Sequence, residues 1–115
     1  MRALNFYSSV YHGRLVCRNN SCTIRLGDKR SKYAEGDIVW VTHGDRFQKR
    51  RRLFSAVIDR VVVKTVRELE AGDLRGESPE MKTVQEAAEL LSRIYERPVG
   101  LDEVVSVVYF SEVAE

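Results

Sequence analysis

The segment Leu53–Val66 constrains this chain more than any other. Phe54, Ala56 and Ile58 alternate with Ser55, Val57 and Asp59, the period of a strand with one buried face. Past Asp59-Arg60 the phase is lost, and Val61, Val62 and Val63 follow one another as consecutive apolar residues. A strand that keeps its β-branched character while losing its phase must be bulged or sharply bent, and barrels use such bulges at their corners.

The remaining elements fit around that bend. Ser21–Leu26 reads as a strand with Cys22, Ile24 and Leu26 on one face and Ser21, Thr23 and Arg25 on the other, closed by the Gly27-Asp28 turn. Gly36-Asp37 opens Ile38–Val41, which is apolar on both faces, as inside a closed sheet. Val104–Phe110 supplies a last strand rich in β-branched and aromatic residues. One helix is predicted from Ser78 as N-cap, with Pro79 at its first position, through Met81, Val84, Ala87, Ala88, Leu91 and Ile94 to Arg97-Pro98. A shorter helix is expected over Tyr7–Arg14. At 115 residues the chain has room for one core, so a single domain over 1–115 is expected. The pattern predicts an α+β fold: a small mixed β-barrel with one or two packed helices.

Charge separates along the sequence. The net charge is only +2, yet residues 1–52 hold 12 Lys/Arg against 4 Asp/Glu, and residues 53–115 hold 7 against 13. Such a chain can present one basic surface to a polyanion while staying near neutral overall. The stretch Arg46-Phe47-Gln48-Lys49-Arg50-Arg51-Arg52 places five cations and an aromatic ring on an expected hairpin tip. That mixture suits single-stranded or looped RNA, whose phosphates and unstacked bases are both exposed. The bland alternative is a solvated loop. Cys17 and Cys22, even with His12, do not make a three- or four-ligand metal set, so no metal and no cofactor is expected. The amino terminus lacks the apolar core of a signal peptide, and no run nears the ~20 residues needed to cross a bilayer. A cytoplasmic location without a membrane partner is therefore expected.

Thr23-Ile24-Arg25-Leu26-Gly27-Asp28-Lys29, followed by Tyr33-Ala34-Glu35-Gly36-Asp37-Ile38-Val39, resembles the most recognisable segment of the ASCH family of PUA-like domains. Phe54–Ile58, Val66-Arg67-Glu68-Leu69 and the late helix ending Ile94-Tyr95 follow in that family's order, so the resemblance spans nearly the whole chain. It implies a PUA-like barrel, a cleft between barrel and helix, and a nucleic-acid or nucleotide ligand. The acetylcytidine amidohydrolases of that superfamily are thought to combine a lysine, a threonine and a glutamate. By that resemblance Thr23 matches the threonine and Glu80 the glutamate, while the lysine's place falls on Asn20. Asparagine does not titrate, and losing a general base typically costs about 10²–10⁴ in rate.

Two readings, one of binding and one of catalysis, follow from these residues, and a third remains. The first is an RNA- or nucleotide-binding module, with Arg25, Lys29, Arg30 and Lys32 along one side and Arg46, Phe47, Lys49, Arg50, Arg51 and Arg52 gripping the backbone. The second is an amidohydrolase for acylated cytidine or a related nucleoside, centred on Thr23 and Glu80. The third is a protein-interaction domain whose basic loop meets an acidic partner. Each residue also has a plainer role: Thr23 in a polar cross-strand pair, Arg25 as a surface charge, and Glu80 as a first-turn carboxylate favoured by the helix dipole.

Overall fold

A computed structural model describes residues 1–7, 21–45 and 49–113. The strands are β1 (Ala3–Phe6), β2 (Cys22–Leu26), β3 (Ile38–His43), β4 (Arg51–Thr65) and β5 (Val104–Glu112). A 3₁₀ turn over Val66–Glu68 and two helices, α1 (Ala71–Glu77) and α2 (Val84–Tyr95), lie between β4 and β5. The described strands form one sheet in the order β1-β3-β4-β5-β2. β1 runs parallel to β3, and every other pairing is antiparallel. The architecture is thus α+β, a mixed sheet curled into a half-barrel with two helices against it.

The bend expected near Asp59-Arg60 is a bulge. The β4–β5 register shifts between Ile58, opposite Phe110, and Arg60, opposite Tyr109, leaving Asp59 as the extra residue. Its effect is the one the sequence pattern demanded. Ala56 and Ile58 are buried inside the curl, and after the bulge it is Val61 that packs against the same cluster. One inserted residue therefore moves the buried face from even to odd positions. A second shift, opposite Val41 and Thr42, leaves Leu53 of β4 as an extra residue.

The sheet divides the core in two. Inside the curl lie Leu4, Phe6, Tyr33, Val39, Val41, Ala56, Ile58, Val108 and Phe110. On the other face Cys22, Ile24, Val105 and Val107 pack against Leu74 of α1 and Ala87, Leu90 and Leu91 of α2. β5 lends alternate residues to both clusters, which is why it reads as a continuous apolar run.

The helical region differs from the expectation. α2 starts at Val84, where the Thr83 hydroxyl accepts from the Glu86 N–H at 3.1 Å and Thr83 Oγ1 lies 3.2 Å from Glu86 Oε1. Thr83-x-x-Glu86 outcompetes Ser78 because it satisfies the first-turn N–H groups directly. Ser78 instead caps the C-terminus of α1, its N–H donating to the Leu74 carbonyl at 3.0 Å. Pro79 and Glu80 lie in the turn between the helices. α2 ends at Tyr95 with Glu96 in the left-handed region (φ 55°), two residues before Pro98. The helix expected over Tyr7–Arg14 lies, apart from Tyr7, outside the described residues, as do Arg46 and Phe47.

Helix α1 was not expected, since Gly72 and Gly76 lower its helix propensity. Gly76 is required by contact rather than by conformation. A Cβ there would stand 2.6 Å from Cys22 Sγ and 2.9 Å from Ser21 Oγ. Only glycine lets α1 press onto β2, and the Gly76 carbonyl accepts from the Ser21 N–H at 3.0 Å.

Candidate functional site

Among the described residues, β1 and β2 are the two edge strands of the half-barrel and do not pair with each other across the seam between them. A cavity of about 170 Å³ occupies that seam. It is lined by Ala3, Asn5 and Tyr7 from the β1 side, Ile24 and Arg25 from β2, Lys32 and Tyr33, Arg50, and Ile94 and Tyr95 from α2. Lys32 and Tyr33 reach it because Gly27 (φ 87°) and Gly36 (φ 89°) turn the β2–β3 connection sharply at both ends.

Arg25 is the pivot of the cavity wall. It shares a strand face with Thr23, the face turned into the curl, and its guanidinium sits 4.9 Å from the centre of the Phe6 ring. Its Nε donates to Thr23 Oγ1 at 3.1 Å. Lys32 Nζ lies 5.4 Å from the Tyr33 ring centre. Burial, and then the charges of Arg25, Arg2 and Arg50, hold the Lys32 ammonium below its usual range. Burial also raises the Tyr33 phenol, against the opposing pull of the same three arginines. The cavity is therefore a concentration of positive charge walled by tyrosines. Tyr33 is fixed by donating its hydroxyl to the Ala3 carbonyl at 2.9 Å, and Tyr95 by accepting from the Leu26 N–H at 3.1 Å.

Of the sequence-derived binding residues, Arg25, Lys32 and Arg50 meet at this cavity. The others do not. The Lys29 backbone N–H is bound to Ser106 Oγ at 2.8 Å, which fixes the turn. Arg30 forms an exposed ion pair with Asp28 at 2.6 Å, so its charge is already answered. Arg51 and Arg52 are the first residues of β4, opposite His43 and Thr42, rather than a hairpin tip. Arg52 lies 4.6 Å over the Trp40 ring. Lys49 is exposed in the β3–β4 connection, close to Arg50.

The expected Thr23–Glu80 pair is corrected. Glu80 is exposed and lines a separate hollow with Met81, Glu86, Glu89 and Arg93. The carboxylate that meets Thr23 belongs to Glu77, one helical turn earlier. Thr23 Oγ1 donates to Glu77 Oε1 at 3.4 Å, and the Ile24 N–H donates to the same oxygen at 3.3 Å. Thr23 and Glu77 are both fully buried. The resemblance, aligned back from Ile94-Tyr95, lands on Glu80, three residues past the carboxylate that reaches Thr23. Glu77 also serves the fold, because it and Tyr95 meet the outward N–H groups of Ile24 and Leu26 and close the free edge of β2 with side chains.

A second buried polar group lies beneath α1. Asp73 accepts from Lys64 Nζ at 3.0 Å, from the Glu70 N–H at 2.9 Å and from the Tyr109 hydroxyl, and Arg60 stacks 4.2 Å over Tyr109. Burial raises the Asp73 carboxyl, but these donors outweigh it and leave it below the usual range. Cys22 donates to the Asp73 carbonyl at 3.3 Å, and burial, with Glu77 and Asp73, pushes its thiol up to about 12. It is a core thiol rather than a nucleophile. Among the described residues no three His, Cys, Asp or Glu side chains could hold a metal ion, and no helix is long and apolar enough to cross a membrane.

No family model matches the sequence, and no curated protein matches it. The fold is similar to the crystal structure of protein EF3133 from Enterococcus faecalis V583, described under the family model DUF984, with a TM-score of 0.61 at 15% identity. The alignment covers 89% of this chain and 66% of that one, so the chain spans just under two thirds of its neighbour's length. At that identity the likeness concerns the fold alone.

Proposed function

We propose that the protein binds RNA or a nucleotide at the β1–β2 seam, as the resemblance to ASCH domains of the PUA-like superfamily also suggests. The observation that carries this reading is the convergence of Arg25, Lys32 and Arg50 on one tyrosine-walled cavity. Cations facing each other across partly buried space cost energy that a phosphate relieves. Tyrosine faces and arginine planes offer stacking surfaces to a base. Lys49, Arg51 and Arg52 adjoin Arg50 in sequence and are exposed, so they add positive charge next to it. A short labelled single-stranded RNA, titrated at several salt concentrations, tests it. Log affinity should fall linearly with log salt, with a slope of roughly −0.7 for each phosphate contact. Replacing Lys49, Arg50, Arg51 and Arg52 by alanine should flatten that slope; an unchanged slope refutes the assignment.

The second reading, an amidohydrolase for acylated cytidine, draws on the contact between Thr23 and Glu77. The arrangement gives the hydroxyl an acceptor for its proton and a cation beside its oxygen, the elements of an activated nucleophile. Two features weigh against it. The hydroxyl is fully buried behind Arg25, and arginine does not act as a base at physiological pH. Release of acetate from acetylcytidine, abolished in Thr23→Ala, would place catalysis first.

A further inference from the structure

The parallel ladder between β1 and β3 uses alternate residues of β1. The Trp40 N–H donates to the Arg2 carbonyl and the Gly44 N–H to the Phe6 carbonyl, each at 3.0 Å, with Ala3 opposite Trp40 and Asn5 opposite Thr42. Even-numbered residues of β1 therefore direct their backbone groups at β3, and odd-numbered ones direct theirs the other way. Ala3 and Asn5 are those odd residues, and they line the cavity together with Tyr7, the residue just past the strand. The Ala3 carbonyl is occupied by the Tyr33 hydroxyl. Among the described residues no side chain meets the Asn5 N–H or C=O. Among the described residues the two edges of the seam are thus unlike: β2 has its outward N–H groups closed by Glu77 and Tyr95, whereas β1 presents the Asn5 donor and acceptor side by side with no side chain on them.

Resting on the nucleotide-binding reading above, we propose that the Asn5 backbone edge reads one nucleobase. The N–H and C=O of a single strand residue pair with a partner that carries an acceptor next to a donor, as another strand does. The hydrogen-bonding edge of a nucleobase has that arrangement fixed in one plane; a phosphate only accepts, and a sugar's hydroxyls carry donor and acceptor without the fixed plane that a strand edge matches. Size decides how much enters. A cavity of about 150 Å³ holds a benzene-sized ring, so one of about 170 Å³ takes a base and leaves the remainder of the nucleotide outside. The base lies among Tyr7, Tyr33 and Tyr95, and Arg25, Lys32 and Arg50 hold the phosphate at the mouth.

Backbone groups can be tested by proline. The Asn5 N–H lies outside the β1–β3 ladder, so Asn5→Pro removes the reading donor without breaking a strand bond. Asn5→Ala is its control. Both variants lose the side-chain bonds to the Gly44 carbonyl and from the Thr42 hydroxyl, but only the proline loses the N–H. The probes are the four nucleoside monophosphates and ribose 5-phosphate, titrated by calorimetry. The best nucleotide should bind native protein about 10-fold more tightly than ribose 5-phosphate, the effect of two hydrogen bonds of ordinary strength. Asn5→Pro should remove most of that advantage, Asn5→Ala should keep it, and ribose 5-phosphate should bind all three proteins alike. On native protein, the nucleotide but not the sugar phosphate should slow hydrogen exchange of the Asn5 amide, which decides the matter should the proline variant unfold. Equal binding of nucleotide and sugar phosphate, or equal behaviour of the two variants, overturns the base reading and leaves a phosphate site standing. Failure of both probes to bind overturns the site as well.

Discussion

Glu77 offers the sharpest test of how the edge of β2 is held. It is fully buried, and a single carboxylate oxygen accepts both the Ile24 N–H at 3.3 Å and the Thr23 hydroxyl at 3.4 Å. Glu77→Ala leaves the Ile24 N–H at a dry edge without an acceptor, a loss of about 1–3 kcal/mol. Thr23 keeps Arg25 as a donor but loses its acceptor, and the deleted side chain leaves a void, so the total should reach about 2–5 kcal/mol. For a chain of this size about 4 °C of melting temperature accompanies each kcal/mol, giving a fall of roughly 8–20 °C. Glu77→Gln keeps an oxygen acceptor and should cost about 1 kcal/mol. Urea and thermal unfolding followed by circular dichroism measure both, and amide exchange at Ile24 should quicken in Glu77→Ala alone. An alanine variant within about 0.5 kcal/mol of native would refute the edge-closing role.

Gly76→Ala should destabilise by about 1–3 kcal/mol because its Cβ meets Cys22 Sγ at 2.6 Å, and adding Cys22→Ala should recover part of the loss in a double-mutant cycle by urea unfolding. Stability should fall at alkaline pH: the folded state holds the Cys22 proton up to about 12 whereas the unfolded thiol releases it near 9.0, so the contribution is complete below pH 9 and lost as pH rises toward 12. Burial and the Asp73 hydrogen bond raise the Tyr109 phenol as well and add to the same slope, so Cys22→Ala should flatten the curve only in part. Arg25→Ala should cost about 1–2 kcal/mol through its bond to Thr23 and its stacking on Phe6, while weakening nucleotide binding at least about 10-fold. Lost stability with unchanged affinity would make Arg25 structural.

The barrel was legible where local pattern and tertiary demand coincide. The slipped phase after Ile58 announced the bulge at Asp59, because a buried face can change parity only through an inserted residue. β1 gave too little pattern to read: Leu4 and Phe6 alternate with Ala3 and Asn5 over a single short strand whose pairing is long-range. α1 was hidden by Gly72 and Gly76, and the reason for Gly76 lies in β2, far away in sequence. Ser78 and Pro79 misled the helix start, although the Thr83-x-x-Glu86 box was present in the sequence. Glu80 rested on the resemblance, aligned from Ile94-Tyr95, and missed Glu77 by three residues because Glu77 lies in the unexpected α1. Arg25 and Lys32 could be proposed together because one lies on the β2 face opposite Ile24 and the other in the turn that follows it. Asn5, Tyr7 and Tyr95 could not be joined to them, since only the unclosed seam brings those elements together.

The seam contrasts with four ion-paired places elsewhere among the described residues. Arg30 faces Asp28, Arg97 faces Glu103, Arg67 faces Asp102 and Lys64 faces Asp73, each within 3.2 Å. At the cavity the groups bearing on Lys32 are Arg25, Arg2 and Arg50, all of its own sign, and burial adds to their effect. Folding alone does not favour that arrangement, because each cation there raises the energy of the others in partly desolvated space. A concave place where like charges gather without a partner is a candidate for serving something other than stability. An anion entering the seam reverses the sign of the local interaction and restores the proton affinity of Lys32. Binding and the relief of a strained free state are then one event, which supports reading the cavity as a phosphate-bearing ligand's site rather than as a gap in an imperfect barrel.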